Sequence, residues 1–195
     1  DEWVWGDLTY QGALINEIEE QGMNAICVFS NGMPIEEMGM PSLTKVFDWY
    51  FSKDGVPAID ALINIMKFSL SSSGNISIDY FKKWNVPILA GYTIMTEYDE
   101  WKESFEGMNP MEVSIAISLP EFDGTIHGVP VAYKKVLENG DVNYLPIPER
   151  VHRMVNKARK WARLRRKTNS DKKIAIIFHN YPPRNSNIGS ALGLD

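Results

Sequence analysis

Hydrophobic positions along the first 120 residues follow two alternating patterns. Apolar side chains at helical spacing predict helices over residues 7–21, from Ser42 to Tyr50 and from Ser77 to Trp84. The short apolar runs between these helices have the length and composition of strands buried on both faces. These runs are residues 25–29, 61–66, 86–90 and 113–118. Because helix and strand alternate, we predict an α/β fold with a mostly parallel, flavodoxin- or Rossmann-like sheet flanked by helices.

The pattern changes after Pro120. Residues 126–131 and 132–136 alternate between apolar and polar side chains, and the pair Asn139-Gly140 is a strong β-hairpin signal. We therefore predict a small antiparallel excursion at this point of the otherwise parallel sheet.

A long amphipathic helix is predicted over residues 148–167, and it is followed by a last strand over residues 174–178. A loop rich in glycine and proline comes after that strand. The helix side expected to face the core carries Val151, Val155, Ala158, Trp161 and Ala162.

Two domains are expected from this order of elements. Residues 1–145 form an α/β domain, and residues 146–195 begin a second α/β unit with a long helix, a strand and a loop. A first helix in such a fold normally follows a strand, but only residues 3–5 precede it here. We therefore expect that the first strand is truncated and that the chain is a fragment.

Composition narrows the classes of function. Of the 195 residues, 44% are hydrophobic and 23% are charged, which is typical of a globular protein. A formal net charge of −5 argues against nucleic-acid binding, including by the basic second half of the long helix. No apolar stretch approaches the roughly 20 residues needed to span a membrane, so the cytoplasm is expected. The single cysteine, Cys27, is expected to be a small buried hydrophobe.

The sequence encodes no obvious metal or ATP site. The three histidines, His127, His152 and His179, lack the spacing of metal ligands, so no metal site is predicted. The loop over residues 180–189 lacks the Gly-Lys-Ser/Thr ending of a P-loop, which excludes ATP binding there. A stand-alone flavodoxin-like ligand-binding module stays open as a function of a different class.

Two segments resemble a known family. Residues 118–124 read SLPEFDG, and residues 150–195 contain KWARLRRK, then KKIAIIFHNYPP, then NIG. In these motifs the chain resembles the large subunit of the CobN cobaltochelatase and magnesium-chelatase H family. The resemblance implies a subunit that binds a corrinoid or porphyrin and the metal. It also implies an AAA+ ATPase subunit, which uses ATP, and a partner with an integrin-like domain.

The resemblance leans toward the cobalt branch, because FHNYPP and the ending GLD are similar to cobaltochelatase. It then implies an ATP-dependent ligase that inserts Co²⁺ into a corrinoid precursor in cobalamin biosynthesis, with a magnesium or nickel chelatase as the alternative. The family's His-Gly-x-x-Glu segment is not in this chain. We therefore expect the catalytic group to lie outside it and the isolated fragment to be inactive.

Five residues are predicted to contact the tetrapyrrole. The carboxylates are expected at the end of the strand 113–118, where they can attract a divalent cation or accept pyrrole protons, or simply form a turn. The loop residues offer backbone N–H groups to anionic side chains, or serve only as a connection. The five are Glu121, Asp123, His179, Asn187 and Gly189.

Overall fold

A computed structural model describes residues 6–30, 32–74, 76–178, 180 and 184–189. The chain divides into two units, Asp1–Arg165 and Arg166–Asp195. The division predicted at residue 145 remains a prediction.

Helices make up much of the described chain. The α-helices are α1 Thr9–Glu20, α2 Leu43–Val46, α3 Leu70–Gly74, α4 Ile78–Trp84, α5 Tyr98–Glu103, α6 Pro110–Val113, α7 Leu119–Glu121 and α8 Pro148–Arg166. Wider π-helical turns follow α2 at Phe47–Phe51 and α6 at Ser114–Ser118. Short 3₁₀ turns lie at Glu36–Met38, Asn169–Asp171 and Asn185–Asn187. The three helices predicted in the first 84 residues are confirmed, and so is the long helix.

The strands form two sheets. They are β1 Ser52–Lys53, β2 Val56–Pro57, β3 Leu62–Asn64, β4 Ile88–Ile94, β5 Ile126–Val136 and β6 Val142–Pro146. The first two pair as a small antiparallel ribbon, and the other four form one sheet in the order β3-β4-β5-β6. In that sheet β3, β4 and β5 run parallel, whereas β6 is antiparallel to β5. The α/β class and the parallel pairing of β3 with β4 are confirmed.

The predicted antiparallel excursion is the β5–β6 hairpin. Its turn contains Asn139 and Gly140, and the Asn139 side chain accepts a hydrogen bond from the backbone N–H of Asp141 at 3.1 Å. Gly140 has φ +87°, a conformation that favours glycine. The two short strands predicted before the turn are one continuous strand.

The strand predicted over residues 113–118 is wrong, because this segment is helical. Asn109 caps α6 in a reciprocal capping box with Glu112, and Pro110 occupies the first turn. The alternating Val-Ser-Ile-Ala-Ile-Ser sequence resembles a strand, but the helix start directly before it determines the conformation.

The strands predicted over residues 25–29 and 174–178 are also wrong. Both segments are irregular, since no backbone among the described residues forms a ladder with them and a strand requires such a neighbour. The prediction that Cys27 is buried fails with the first of them, because the thiol is exposed. Trp161, predicted in the core, is exposed on α8.

Two hydrophobic clusters cover the two faces of the sheet. Leu89 belongs to the cluster formed with α1 and α8, and its neighbour Ile88 belongs to the cluster formed with α2, α3 and α4. Adjacent strand residues point to opposite faces, so the clusters lie on opposite sides. The first cluster is also tied together by Asp7, whose carboxylate accepts the backbone N–H of Tyr144 in β6 at 2.7 Å.

At Gly128, the backbone of β5 lies very close to the backbone of β4. A Cβ atom at this position would lie 1.4 Å from the carbonyl oxygen of Ala90 and 2.5 Å from Met154 Cε. The β4–β5 register shifts between Leu89 and Gly91, where β5 carries an extra residue. Position 128 therefore requires glycine, because any Cβ atom there would collide with the backbone of β4.

Candidate functional site

Asp123 is a buried carboxylate that accepts hydrogen bonds from the start of α3. Its side chain is 4% exposed and accepts hydrogen bonds from Ser69 Oγ at 2.9 Å, from the backbone N–H of Ser71 at 3.2 Å and from the backbone N–H of Leu70. These donors stand at the start of α3, whose first N–H groups have no partner within the helix. Asp123 thus fixes the chain that follows β3.

The segment around Asp123 was predicted to be a strand ending in a turn. The strand is wrong, because the segment is the end of α7, but the turn after it is confirmed, and Gly124 in that turn has φ +74°. Glu121 is exposed at the end of the helix. Both carboxylates therefore stand at a helix terminus, and their contact with a tetrapyrrole remains a prediction.

The other three predicted residues belong to the second unit. His179 lies outside the described residues. Asn187 ends the 3₁₀ turn Asn185–Asn187, and Gly189 follows it with φ +76°. A Cβ atom at Gly189 would lie 3.2 Å from Phe178 Cδ1, so this loop folds back onto the segment before it. The role of these residues in binding remains a prediction.

A cleft of about 290 Å³ opens where the parallel strands β3 and β4 end. Lys67 and Phe68 follow β3, while Thr93 and Met95 lie at the end of β4. α6 and the turn after it complete the wall with Asn109, Met111, Glu112, Ile115 and Ala116. Open parallel sheets bind ligands at the carboxyl ends of their strands, so the cleft has the expected position of a binding site.

Glu112 holds two walls of the cleft together. One carboxylate oxygen accepts the backbone N–H of Met95 at 2.7 Å, and the other accepts the backbone N–H of Asn109 at 3.0 Å. The Asn109 side chain in turn accepts the backbone N–H of Glu112 at 2.9 Å. The acidic group of the cleft is therefore engaged in fixing α6 against the end of β4.

Two polar groups of the cleft stand among apolar side chains. Thr93 is 3% exposed, and its hydroxyl has no hydrogen-bond partner among the described residues. The Lys67 ammonium lies 3.4 Å from Met95 Sδ and 4.8 Å from the centre of the Tyr144 ring. A buried hydroxyl that makes no hydrogen bond costs free energy.

The rim of the cleft carries large exposed apolar side chains. Phe68, Met95 and Met111 are 51%, 43% and 72% exposed. Methionine is flexible and polarisable and adapts to the shape of a bound apolar surface. The arrangement is suited to a ligand with an apolar body and a few polar groups.

Sequence reasoning missed this cleft. Its residues come from positions 67–68, 93–95 and 109–116, and nothing in the sequence indicates that they meet. The Asn-Pro-x-Glu capping box at Asn109 signals where α6 begins, but it carries no information on the position of α6 beside β4. Within the parts of the chain that the structure describes, no group of three or more His, Cys, Asp and Glu side chains is arranged for a metal ion.

The family model described as CobN/Magnesium Chelatase matches residues 1–195. The chain belongs to this family. An uncharacterized protein of Methanocaldococcus jannaschii is 39% identical over 99% of the chain. The aerobic cobaltochelatase subunit CobN of Pseudomonas aeruginosa is 30% identical over 78% of the chain, and the magnesium-chelatase subunit ChlH of rice is 28% identical over 98%. The chain spans 16%, 12% and 14% of the lengths of these relatives.

A solved member of the CobN/magnesium chelatase family has the same fold. The catalytic subunit of cobaltochelatase from Mycobacterium tuberculosis matches 97% of the chain and 16% of its own length, with a TM-score of 0.69 and 26% sequence identity. In the chain itself, over the residues that the structure describes, no helix is both long and apolar enough to cross a membrane.

Proposed function

We propose that this chain is a segment of the large subunit of an ATP-dependent cobaltochelatase, which inserts Co²⁺ into a corrinoid ring during cobalamin biosynthesis. The observation that carries the proposal is membership in the CobN/magnesium chelatase family along all 195 residues. The cobalt branch is supported by the FHNYPP and GLD sequences near the end of the chain.

The segment's part in this reaction is to bind the macrocycle. The cleft at the ends of β3 and β4 supplies a mostly apolar surface, to which Met95, Met111 and Ile115 contribute. Glu121, Asp123, His179, Asn187 and Gly189 stay proposed contacts. The group that accepts the pyrrole protons lies elsewhere in the large subunit, and Co²⁺ is a substrate rather than a resident cofactor.

The partners proposed for the large subunit follow from the family. An AAA+ ATPase subunit uses ATP and, together with a subunit that has an integrin-like domain, drives insertion in the cytoplasm. We also propose that the sheet is flavodoxin- or Rossmann-like, which the parallel β3-β4-β5 core supports, and that residues 146–195 begin a second α/β unit.

Two alternatives remain. A magnesium chelatase is favoured by the rice relative, which is similar to nearly the whole chain, and a nickel chelatase is the other metal variant. A stand-alone flavodoxin-like module would bind a flavin or nucleotide, but no phosphate-binding fingerprint follows β3 or β4.

The test uses the full-length protein that contains this chain, together with its two partner subunits and ATP. Metal-free corrinoid and protoporphyrin are each offered with Co²⁺, Mg²⁺ or Ni²⁺, and insertion is followed by the absorption spectrum. A flavin is titrated separately, and its binding is followed by fluorescence. Cobalt in the corrinoid is the expected product. Insertion of magnesium or nickel alone supports the corresponding alternative, and a flavin-binding signal without any insertion supports the module.

A further inference from the structure

We propose that the outer edge of β3 pairs with one further strand, an extended apolar segment supplied by the part of the large subunit outside these 195 residues. The added strand runs parallel to β3 and extends the sheet on the side away from β4. The inference rests on the proposal that the chain is a segment of a large subunit, and it is independent of the metal and the macrocycle.

The backbone of β3 has hydrogen-bonding groups directed away from the sheet. β3 is an edge strand, and among the described residues only β4 pairs with it. Alternate residues of a strand direct their N–H and C=O groups to the same neighbour. The N–H of Leu62 donates to the carbonyl oxygen of Pro87, directly before β4, at 2.9 Å. The N–H and C=O of Ile63 therefore point away from β4, where a further strand can pair with them.

Side chains of β3 are covered from both faces, as in an inner strand. Ile63 packs against the cluster formed with α1 and α8, and Leu62 packs against the cluster formed with α2, α3 and α4. The residues after β3 continue the alternation, since Ile65 packs against the first cluster and Met66 against the second. Strands buried on both faces are typical of the interior of a parallel sheet.

Burial is nevertheless incomplete at this edge. Ile88 and Leu89 of β4, which has a strand on either side, are 4% and 0% exposed. Leu62 and Ile63 lie beside them in register but are only partly buried. Because helices already cover both faces, the surface left on these two side chains lies on the side away from β4. A further strand would cover it.

The chemistry of the edge permits pairing. Edge strands that stay open in native proteins often carry charged side chains, proline or a bulge that prevent another strand from adding. Residues 61–66 read ALINIM, without charge or proline, and the pairing of β3 with β4 has a regular register. Addition of an extended segment to such an edge is a common mode of recognition.

The size of the edge indicates a segment of the same polypeptide. β3 is three residues long, so an added strand buries far less than the roughly 1,200 Å² of stable complexes between separate proteins. A segment of the same chain can use so small a contact, because the linkage raises its effective concentration. The relatives have sequence to supply it, since the chain spans only 16%, 12% and 14% of their lengths.

A second copy of the chain fits this edge less well. Two copies related by a twofold axis bring β3 against β3, and that symmetry makes the two strands antiparallel. In this sheet β3, β4 and β5 are parallel and have helices on both faces, which is the setting of a parallel neighbour. The apolar run at residues 25–29 is not paired with β3 in the structure.

The experiment uses the full-length protein and two readouts. Hydrogen exchange measured by mass spectrometry on overlapping peptides gives the exchange rate of the Ile63 amide, with the Leu89 amide as the reference. Photo-methionine, which has nearly the shape of methionine, is incorporated for cross-linking, and cross-links from Met66 are identified in a mixture of isotopically light and heavy copies. The control Met66→Leu removes these cross-links and no others.

In wild type, the Ile63 amide should exchange within about tenfold of the Leu89 rate, because both donate within a ladder. Met66 should cross-link to a segment outside residues 1–195 of the same copy. Two variants separate the ladder from side-chain packing. Ile63→Ala loses packing alone, whereas Ile63→Pro also loses the outward N–H, so residues 61–66 should exchange at least about tenfold faster in Ile63→Pro than in Ile63→Ala.

Four outcomes overturn the inference. Fast exchange of the Ile63 amide, with equal rates in Ile63→Pro and Ile63→Ala, shows an open edge, where proline is tolerated. Cross-links from Met66 that fall only within residues 1–195 of one copy show that the chain closes its own edge. Cross-links between light and heavy copies make a second copy the occupant. Slow exchange without a cross-link to an outside segment rejects the proposed occupant.

The proposed function is judged separately. None of these measurements involves a metal or a macrocycle, so an open edge leaves the proposed chelatase activity standing. Conversely, a full-length protein that inserts no metal but shows the slow Ile63 amide and the outside cross-link retains the added strand and loses only the proposed activity.

Discussion

At the scale of single residues, Gly128 has the strictest requirement. Replacing it by alanine places a methyl group 1.4 Å from the Ala90 carbonyl oxygen, so β5 must move away from β4. We expect Gly128→Ala to lower the free energy of unfolding by more than about 3 kcal/mol, above the usual range for overpacking. Urea unfolding followed by circular dichroism measures the change.

Gly12 provides the matched control, because it lies within α1 and an added Cβ meets nothing within 4 Å. Gly12→Ala should stabilise the chain by about 0.5–1 kcal/mol through helix propensity. If Gly128→Ala is as stable as wild type, the close approach of β5 to Ala90 is wrong.

Asp123 allows a structural role to be separated from a binding role. Asp123→Ala leaves Ser69 Oγ and two backbone N–H groups without their acceptor, so the free energy of unfolding should fall by about 2–4 kcal/mol. Exposed Glu138 serves as the control, and Glu138→Gln should change stability by less than about 0.5 kcal/mol.

Thermal and urea unfolding are the measurements, with macrocycle affinity recorded in parallel. An Asp123→Asn protein that keeps most of its stability but loses macrocycle affinity makes the carboxylate a binding group. Unchanged affinity in Glu121→Gln removes that residue from the proposed contacts.

At the scale of elements, Glu97 connects the start of α5 to the end of β5. Its carboxylate accepts from Lys135 Nζ at 3.0 Å and from the backbone N–H of Val136 at 3.2 Å. The hydrogen bond from Lys135 is the main cause that lowers the pKa of Glu97, followed by the one from Val136. A lowered pKa means that the contact stabilises the fold above the unfolded pKa of about 4.3 and is lost as pH falls through the lower folded value.

Glu97→Gln should therefore reduce stability at pH 7 and flatten the acid limb of the curve of unfolding free energy against pH. The curve measured by urea unfolding between pH 2 and 7 tests this. The exposed residue Glu106 is the control, and Glu106→Gln should keep the acid limb of wild type. If wild type and Glu97→Gln show the same acid limb, the contact of Glu97 with Lys135 and Val136 does not contribute to the pH dependence of stability.

Local signals predicted several elements correctly. Ser42 and Ser77 start helices because their side chains accept the N–H groups of Lys45 and Tyr80, and Asn139-Gly140 gave the hairpin. The predictions of secondary structure were wrong where the conformation of a segment depends on pairing with backbone far away in the sequence. The apolar run at 25–29 reads as a strand, yet no described neighbour pairs with it.

The candidate site was harder to predict because its contacts are long-range. Asp123 accepts hydrogen bonds from groups more than 50 residues earlier in the chain. Thr93 and Lys67 line one cleft only because β4 pairs with β3. The requirement at Gly128 follows from a register shift in β5, which depends on the partner strand and is not encoded by the glycine itself.

At the scale of the whole molecule, we predict that the 195-residue chain alone neither inserts cobalt into a corrinoid nor hydrolyses ATP. Insertion needs a group that accepts the pyrrole protons and a cleft that holds metal and macrocycle together. The chain spans 16% or less of the relatives described above. Incubation with corrinoid, Co²⁺, ATP and the partner subunits should leave the absorption spectrum unchanged.

The full-length protein under identical conditions is the positive control for this assay. If the chain alone yields cobalt corrinoid, and Glu121→Gln abolishes the product, the reacting centre lies within these 195 residues and its assignment elsewhere in the large subunit is wrong.

The hydrogen bond between Asp7 and Tyr144 joins two parts of the chain that leave the ribosome at different times. The two residues are 137 positions apart, and α1 also packs against α8. At typical rates of 5–20 residues per second, α1 emerges about 7–30 s before its partners. During that interval the apolar side chains of Tyr10 and Leu14 lack the surface that later covers them, so nascent chains should be clients of chaperones that bind exposed hydrophobic helices.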